Sequence, residues 1–214
     1  MVGRVLLSQA VHNLDIWQWI FGMPSEITAF CDVARYHSIE VEDSATIFAR
    51  YPSGATGTFI TTTGECPGTN RLEAAGTRGK VVIENGVLKW WRLLEDERDI
   101  CRDVKIPGPQ PETEYSEYKP ENGGTAHAGV LQAFADAILK GTEPIAYGEE
   151  GINELMISNA AYLSQWLGNQ PVKLPIDGEL FDRLLAERQK SSSEKTVVDK
   201  EIKGEYSTRW SVKW

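Results

Sequence analysis

The sequence predicts an α+β fold: an open, mostly antiparallel mixed β-sheet with helices packed on one face. Three observations carry this: a helical run at the start, about seven strand-like runs joined mostly by short turns, and helical runs again afterwards. Short turns favour antiparallel neighbours, because a parallel pair needs a long crossover.

The first helix is expected over residues 6–21, where Leu7, Val11 and Leu14 recur at helical spacing beside Ala10, Trp17 and Phe21. Gly22 and Pro24 supply its stop. Residues 26–33 alternate Ile27, Ala29 and Cys31 against Glu26, Thr28 and Asp32, the period of a strand. Residues 44–51 and 55–63 flank Pro52-Ser53-Gly54 and predict a hairpin. A shorter strand is expected at 71–75. Residues 80–84 and 87–93 are separated by Asn85-Gly86, the strongest two-residue hairpin signal. Residues 100–106 predict a weaker strand, and 107–124 a loop rich in Pro, Glu and Gly. His127, Leu131, Phe134 and Ile138 then share one helical stripe up to Gly141. Ile152, Met156, Leu163 and Leu167 form another, ending at Gly168. Residues 172–175 read as extended, and Asp177 as the cap of a last helix through Gln189. Residues 1–190 are thus expected to form one domain. Residues 191–214 are expected to form a polar tail whose 209–214 segment can pair as an edge strand. Thr-rich strands carrying Phe48, Phe59, Ile60, Trp90 and Trp91 imply that the sheet's other face serves oligomerisation, as a homodimer or homotetramer.

Composition narrows the partners. Of 214 residues, 41% are hydrophobic and 25% charged, an ordinary globular balance. The net charge of −9 repels phosphate backbones and anionic lipid, so neither nucleic acid nor membrane is expected as a partner. Three cysteines without a CxxC pair predict neither a disulfide framework nor a cysteine zinc site. With no signal-peptide pattern at the start, a cytoplasmic location is expected. Among 19 glycines no two are separated by a single residue, so the G-x-G-x-x-G cradle for a dinucleotide is missing and no cofactor is expected in this chain. Three histidines make a metal site improbable, and no metal ligand is assigned.

One constellation can carry chemistry. Ser8, His12 and Asp15 stand at i, i+4 and i+7 of the first helix, on one face and opposite the apolar stripe. A histidine presented this way can take or give a proton near neutral pH. From spacing alone, a His–Asp pair that fixes the helix by hydrogen bonds is the better reading.

Residues 3–15 (Gly-Arg-Val-Leu-Leu-Ser-Gln-Ala-Val-His-Asn-Leu-Asp), followed by Trp19 and Gly22, resemble the opening of a known C-terminal domain. It belongs to the glucose–fructose oxidoreductase/inositol dehydrogenase (Gfo/Idh/MocA) family. Val41-Glu42-Asp43-Ser44-Ala45, Gly76-Thr77-Arg78-Gly79, the segment 127–141, Ala160-Ala161-Tyr162-Leu163-Ser164 and Val172-Lys173-Leu174-Pro175 continue the likeness in order to about residue 187. The resemblance implies a second, N-terminal Rossmann domain that binds NAD or NADP and brings a catalytic lysine; that domain is expected to be missing from this chain. It makes His12 the catalytic histidine and puts Ser8 where an acid usually stands. A serine there can only exchange hydrogen bonds, whereas a carboxylate would favour the protonated imidazole.

Implied, then, is the substrate-binding and oligomerisation half of an NAD(P)-dependent oxidoreductase acting on a sugar or polyol secondary alcohol, inactive alone. The alternatives are a stand-alone oligomeric protein and a sugar-binding module without turnover. Secondary candidates for substrate contact are His127, Arg71 and Tyr162. For His127, a half-buried structural role is the competing and better reading. Asp15 is expected to be structural, His37 to be exposed, and Trp90 and Trp91 to point to opposite faces.

Overall fold

The computed structural model describes residues 5–103, 111–121 and 126–192. These fall into two compact units. One takes residues 5–64 and 143–192, the other residues 65–103, 111–121 and 126–142. The α+β class with open antiparallel sheets is borne out, but the strands form two four-stranded sheets, and every pairing is antiparallel. The ladder breaks at residues 64–70, where Gly64, Pro67 and Gly68 interrupt strand geometry and Pro67 has no N–H to donate.

The first unit opens with a π-turn, Val5–Gln9, followed by α1, Val11–Phe21. Its sheet contains β1 (Glu26–Val33), β2 (Glu42–Arg50), β3 (Thr56–Thr62) and β8 (Val172–Lys173), in the order β3-β2-β1-β8. The turn at Pro52-Ser53-Gly54 joins β2 to β3 as predicted, with Gly54 at φ +84°. Period-two alternation buries Ile27, Ala29 and Cys31 on β1 and Ala45, Ile47 and Ala49 on β2. Over this face pack α1 and α4, Gly151–Trp166, through Leu14, Trp17, Ile157, Ala160 and Ala161. Ile27 and Ile47 are fully buried, worth about 1.5–3 kcal/mol each by removal from water. A last helix, α5 (Gly178–Ser191), starts where predicted: Asp177 accepts from the Leu180 N–H at 3.0 Å.

β1 is short of a strand partner beyond Ile27, since β8 pairs only with Glu26 and Ile27. Side chains from the end of α4 take over. Ser164 Oγ accepts from the Ala29 N–H (2.9 Å), Gln165 Oε1 from the Cys31 N–H (3.0 Å), and Asn169 Nδ2 donates to the Ala29 carbonyl (2.7 Å). Backbone groups left by the missing strand are thereby satisfied.

The buried face of α4 differs from the predicted stripe. Ile152 is 60% and Leu167 40% exposed, while Glu154, Ile157, Ser158, Ala161 and Leu163 point inward. The apolar residues alone had suggested a rotated face, because two serines and a glutamate share the inner one.

The second unit holds β4 (Arg71–Gly76), β5 (Gly79–Glu84), β6 (Val87–Leu93) and β7 (Thr113–Tyr118), in sequence order, with α2 (Glu97–Asp103) and α3 (Ala126–Lys140). Asn85-Gly86 makes the predicted β5–β6 hairpin with both φ angles positive, as a two-residue primed turn requires. The strand expected at 100–106 is not formed: residues 100–103 belong to α2, and 104–106 lie outside the described residues. Asp96 explains the change, since its carboxylate accepts from the Arg98 N–H (3.0 Å) and Glu97 and Asp99 favour a helix N-terminus. Within the expected 107–124 loop, β7 pairs with β6. All six β7 residues are exposed, so no buried alternation announced it. The predicted pairing of 209–214 lies outside the described residues.

Candidate functional site

Ser8 and His12 straddle a junction. The Ala10 N–H closes the π-turn on the Val5 carbonyl (2.8 Å), and the Leu14 N–H opens the α-helix on the Ala10 carbonyl (2.9 Å). Single π-turns of this kind are frequent at functional sites. The turn is pinned by Glu42, only 3% exposed, whose Oε1 accepts from the Leu6 N–H (3.1 Å) and from the Tyr162 hydroxyl (2.7 Å). α1 is fixed from its other side. Trp17 stacks on Phe59 (centroids 5.6 Å) and lies so close to β3 that a Cβ at Gly57 would come within 2.7 Å of its ring. Thus the inner face of α1 is locked, while Ser8, His12 and Asp15 stay exposed, as the helical spacing predicts. Asp15 accepts from Gln18 Nε2 at 3.0 Å.

Sequence reasoning missed Glu154. It is 4% exposed on α4, and Ser158 Oγ donates to its Oε1 at 2.5 Å. Burial pushes its carboxyl above the ordinary range; the Ser158 hydrogen bond pulls down, the Asp15 charge pushes up, and His12 pulls down. One signal for it existed: Glu154 shares a helical face with Ile157 and Ala161, and a glutamate on a buried face calls for a reason.

The other candidates separate. Tyr162, in the same unit, is 5% exposed, gives its hydroxyl to Glu42 and stacks on Trp166 at 5.9 Å. It also borders a cavity of about 640 Å³ lined by Cys31, Gln165, Trp166 and Arg188, to which neither Ser8 nor His12 contributes. Burial lifts the Cys31 thiol to about 12, so no thiolate nucleophile is available there at neutral pH. Arg71, in the second unit, is held by Glu84 (3.0 Å) and Glu73 (2.5 Å), with Lys80 also on Glu73. Its guanidinium is pushed further into the charged range, first by the Glu73 hydrogen bond. His127 begins the stripe of α3, but it is exposed rather than half-buried, since Leu131, Phe134 and Ile138 behind it are 62–69% exposed.

His37, expected in solvent, is half-buried instead. Its Nδ1 lies 3.3 Å from Asp43, a fully buried carboxylate that also accepts from the backbone N–H groups of Arg35, Tyr36 and His37. Burial opposes ionisation of Asp43, but these donors together outweigh it and hold the carboxyl below its ordinary value. Trp90 and Trp91 do face opposite ways: alternation along β6 puts them on different sides, and Trp91 meets Tyr115 with centroids 5.1 Å apart.

Among the described residues no group of three or more His, Cys, Asp and Glu can hold a metal ion, and no helix is long and apolar enough to cross a membrane. A nicotinamide dinucleotide needs a parallel strand–turn–helix whose glycines admit the pyrophosphate. Among the described residues the strands pair only antiparallel, and no parallel strand–turn–helix supplies that cradle.

Residues 2–82 match the sequence model of the GFO/IDH/MocA C-terminal domain, which bears out the resemblance read from the motifs over that stretch. No curated protein matches the chain. Among solved structures, the WlbA dehydrogenase from Chromobacterium violaceum, in complex with NADH and UDP-GlcNAcA, is similar at 23% identity and a TM-score of 0.61, over 82% of this chain and 47% of that one. An aldose–aldose oxidoreductase from Caulobacter crescentus, complexed with glycerol, is similar at 23% identity and 0.58, over 80% and 48%. An oxidoreductase from Agrobacterium radiobacter, in complex with NAD+, L-tartaric acid and magnesium, is similar at 21% identity and 0.55, over 78% and 48%. At such identities the likeness shows the fold. The chain spans about half the length of the solved relatives it matches.

Proposed function

We propose that this chain, whose residues 2–82 carry the GFO/IDH/MocA C-terminal domain, is the substrate-binding and oligomerisation half of an NAD(P)-dependent oxidoreductase in the cytoplasm. Its substrate is a sugar or polyol with an oxidisable secondary alcohol, and the chain does not turn over alone. A single observation carries the reading: His12, which the sequence resemblance matches to the family's histidine, is exposed on a helix whose inner face is locked by Trp17 and Glu42. The imidazole accepts the hydroxyl proton of the substrate, while the hydride acceptor is a nicotinamide held by another domain. That the similar structures hold a nucleotide sugar and glycerol supports a polyhydroxylated substrate.

Oligomerisation falls to the uncovered face of the first sheet. There Phe30 (57% exposed), Phe48 (36%) and Ile60 (71%) stand among threonines on adjacent strands.

The reading is tested by thermal shift of the chain against glucose, myo-inositol, glycerol and UDP-N-acetylglucosaminuronic acid. One of these is expected to raise Tm, with affinity lost about tenfold in His12→Ala, the worth of one good hydrogen bond. A panel without any stabilising ligand, or a ligand indifferent to His12, overturns it.

A further inference from the structure

The cavity of about 640 Å³ in the first unit has no part in the function proposed above, and Ser8 and His12 do not line it. Its wall comes from β1, the β1–β2 connection and the ends of α4 and α5. Ser192, just past α5, ties that helix to the connection by donating its hydroxyl to Glu40 at 2.6 Å. Three polar groups on the wall keep bonding capacity. Glu42 is 3% exposed, and its bonds from the Leu6 N–H (3.1 Å) and the Tyr162 hydroxyl (2.7 Å) both fall on Oε1. A carboxylate accepts on each oxygen, so its Oε2 is open to a further donor. Gln165 Oε1 accepts from the Cys31 N–H (3.0 Å) and from Asn169 Nδ2 (2.7 Å). These bonds fix the orientation of the amide and keep its NH2 for another acceptor. Arg188 lies over the Trp166 ring, 4.5 Å from the centroid, and gives one N–H to the Leu184 carbonyl (3.2 Å). Among the described residues no carboxylate pairs with it. Cation and anion thus border one cavity without pairing with each other.

We propose that this cavity is a second ligand site, for a small organic acid that also carries hydrogen-bond donors, as hydroxy acids and amino acids do. The carboxylate of the ligand is bound by Arg188, whose planar fork suits two oxygens, and by the Gln165 NH2. A hydroxyl or ammonium of the ligand donates to Glu42 Oε2. The rings of Tyr162 and Trp166 supply apolar wall for its carbon skeleton. A neutral sugar leaves the guanidinium without an anion. A bare acid leaves Glu42 Oε2 without a donor and brings a second negative charge towards it. The site does not depend on the role of His12.

The experiment is an NMR titration of the 214-residue chain with D-gluconate and with L-serine, against glucose and acetate, which lack the carboxylate and the donors respectively. At least one of the two donor-bearing acids is expected to move the Trp166 and Gln165 side-chain signals saturably, leaving the His12 ring unmoved. Glucose and acetate bind there about tenfold more weakly or worse, the worth of one charge-assisted bond. Gluconate ahead of serine makes the donor a hydroxyl, and the reverse makes it an ammonium. Arg188→Gln weakens the bound acid about tenfold or more. Glu42→Gln keeps an acceptor for Leu6 and Tyr162 but puts an NH2 where the ligand's donor must go. It weakens the donor-bearing acid about tenfold and does not weaken acetate. No saturable shift at Trp166 and Gln165 with either acid, acetate binding as tightly, or an affinity indifferent to Arg188→Gln overturns the proposal. Should Glu42→Gln fail to fold, Arg188→Gln and the acetate comparison decide. The two sites report separately, because a sugar bound beside His12 shifts its ring and an acid bound in the cavity shifts Trp166 and Gln165.

Discussion

The two four-stranded sheets are built alike and held differently. In the first, β1 and β2 put five hydrophobic residues within 1% of full burial under α1 and α4. Among the described strand residues of the second, Val82 alone is buried, at 3% exposure. Cross-strand pairs take the place of a core there: Arg71 with Glu84, Arg92 with Glu114, and the Trp91–Tyr115 rings. Carboxylates follow the same division. In the first unit Glu42, Asp43 and Glu154 are buried and satisfied by backbone or hydroxyl donors. In the second, Glu73, Glu84 and Glu114 sit in partly exposed ion pairs. Alternation tells which strand residues can face a core, but a covering helix decides how much they contribute.

The contrast can be broken most directly in the cores. Ile47→Ala should cost about 2–5 kcal/mol in urea unfolding, and Ile83→Ala clearly less because Ile83 is only half-buried. Equal losses would mean that the second sheet is covered as fully as the first.

Acid comes next. Asp43 has its folded value lowered, so its contribution is fully present above the ordinary carboxylate value and is lost as pH falls through the lower folded one. Asp43→Ala should cost on the order of 3 kcal/mol at neutral pH and flatten the acid limb of stability against pH. Glu154 runs the other way: with its folded value raised, the folded state holds the extra proton, and its stabilising effect falls as pH climbs through that window. An acid limb unchanged in Asp43→Ala would deny the buried-carboxylate side of the comparison.

The smallest effect belongs to the second sheet's ion pairs. Arg71→Ala should shift Tm little, and less still at 1 M salt, where partly exposed pairs are screened. A large, salt-independent loss would show that these pairs act as a core.

What was legible in the sequence was local. The strand at Glu26–Val33, the Asn85-Gly86 hairpin, the Asp177 cap and the exposed face of Ser8, His12 and Asp15 each follow from backbone geometry within a few residues. The misses were places where a distant partner sets the outcome. β7 has no apolar alternation and exists as a strand because β6 offers it hydrogen bonds. The α4 face went astray because Ser164, bound to β1, and the bonded pair Ser158 and Glu154 count as polar until their partners are known.

By itself, then, the sequence determined element types, turn chemistry, the face that presents His12 and the family likeness of residues 2–82. The tertiary structure decided that the strands divide into two sheets, that Tyr162 is tied to Glu42, and that Glu154 of α4 is buried with the Ser158 hydroxyl as a donor. The physical reason is range. Periodicity and capping are fixed by dihedral angles over one or two turns, whereas burial, desolvation and charge coupling depend on which remote side chains the fold brings within a few ångströms.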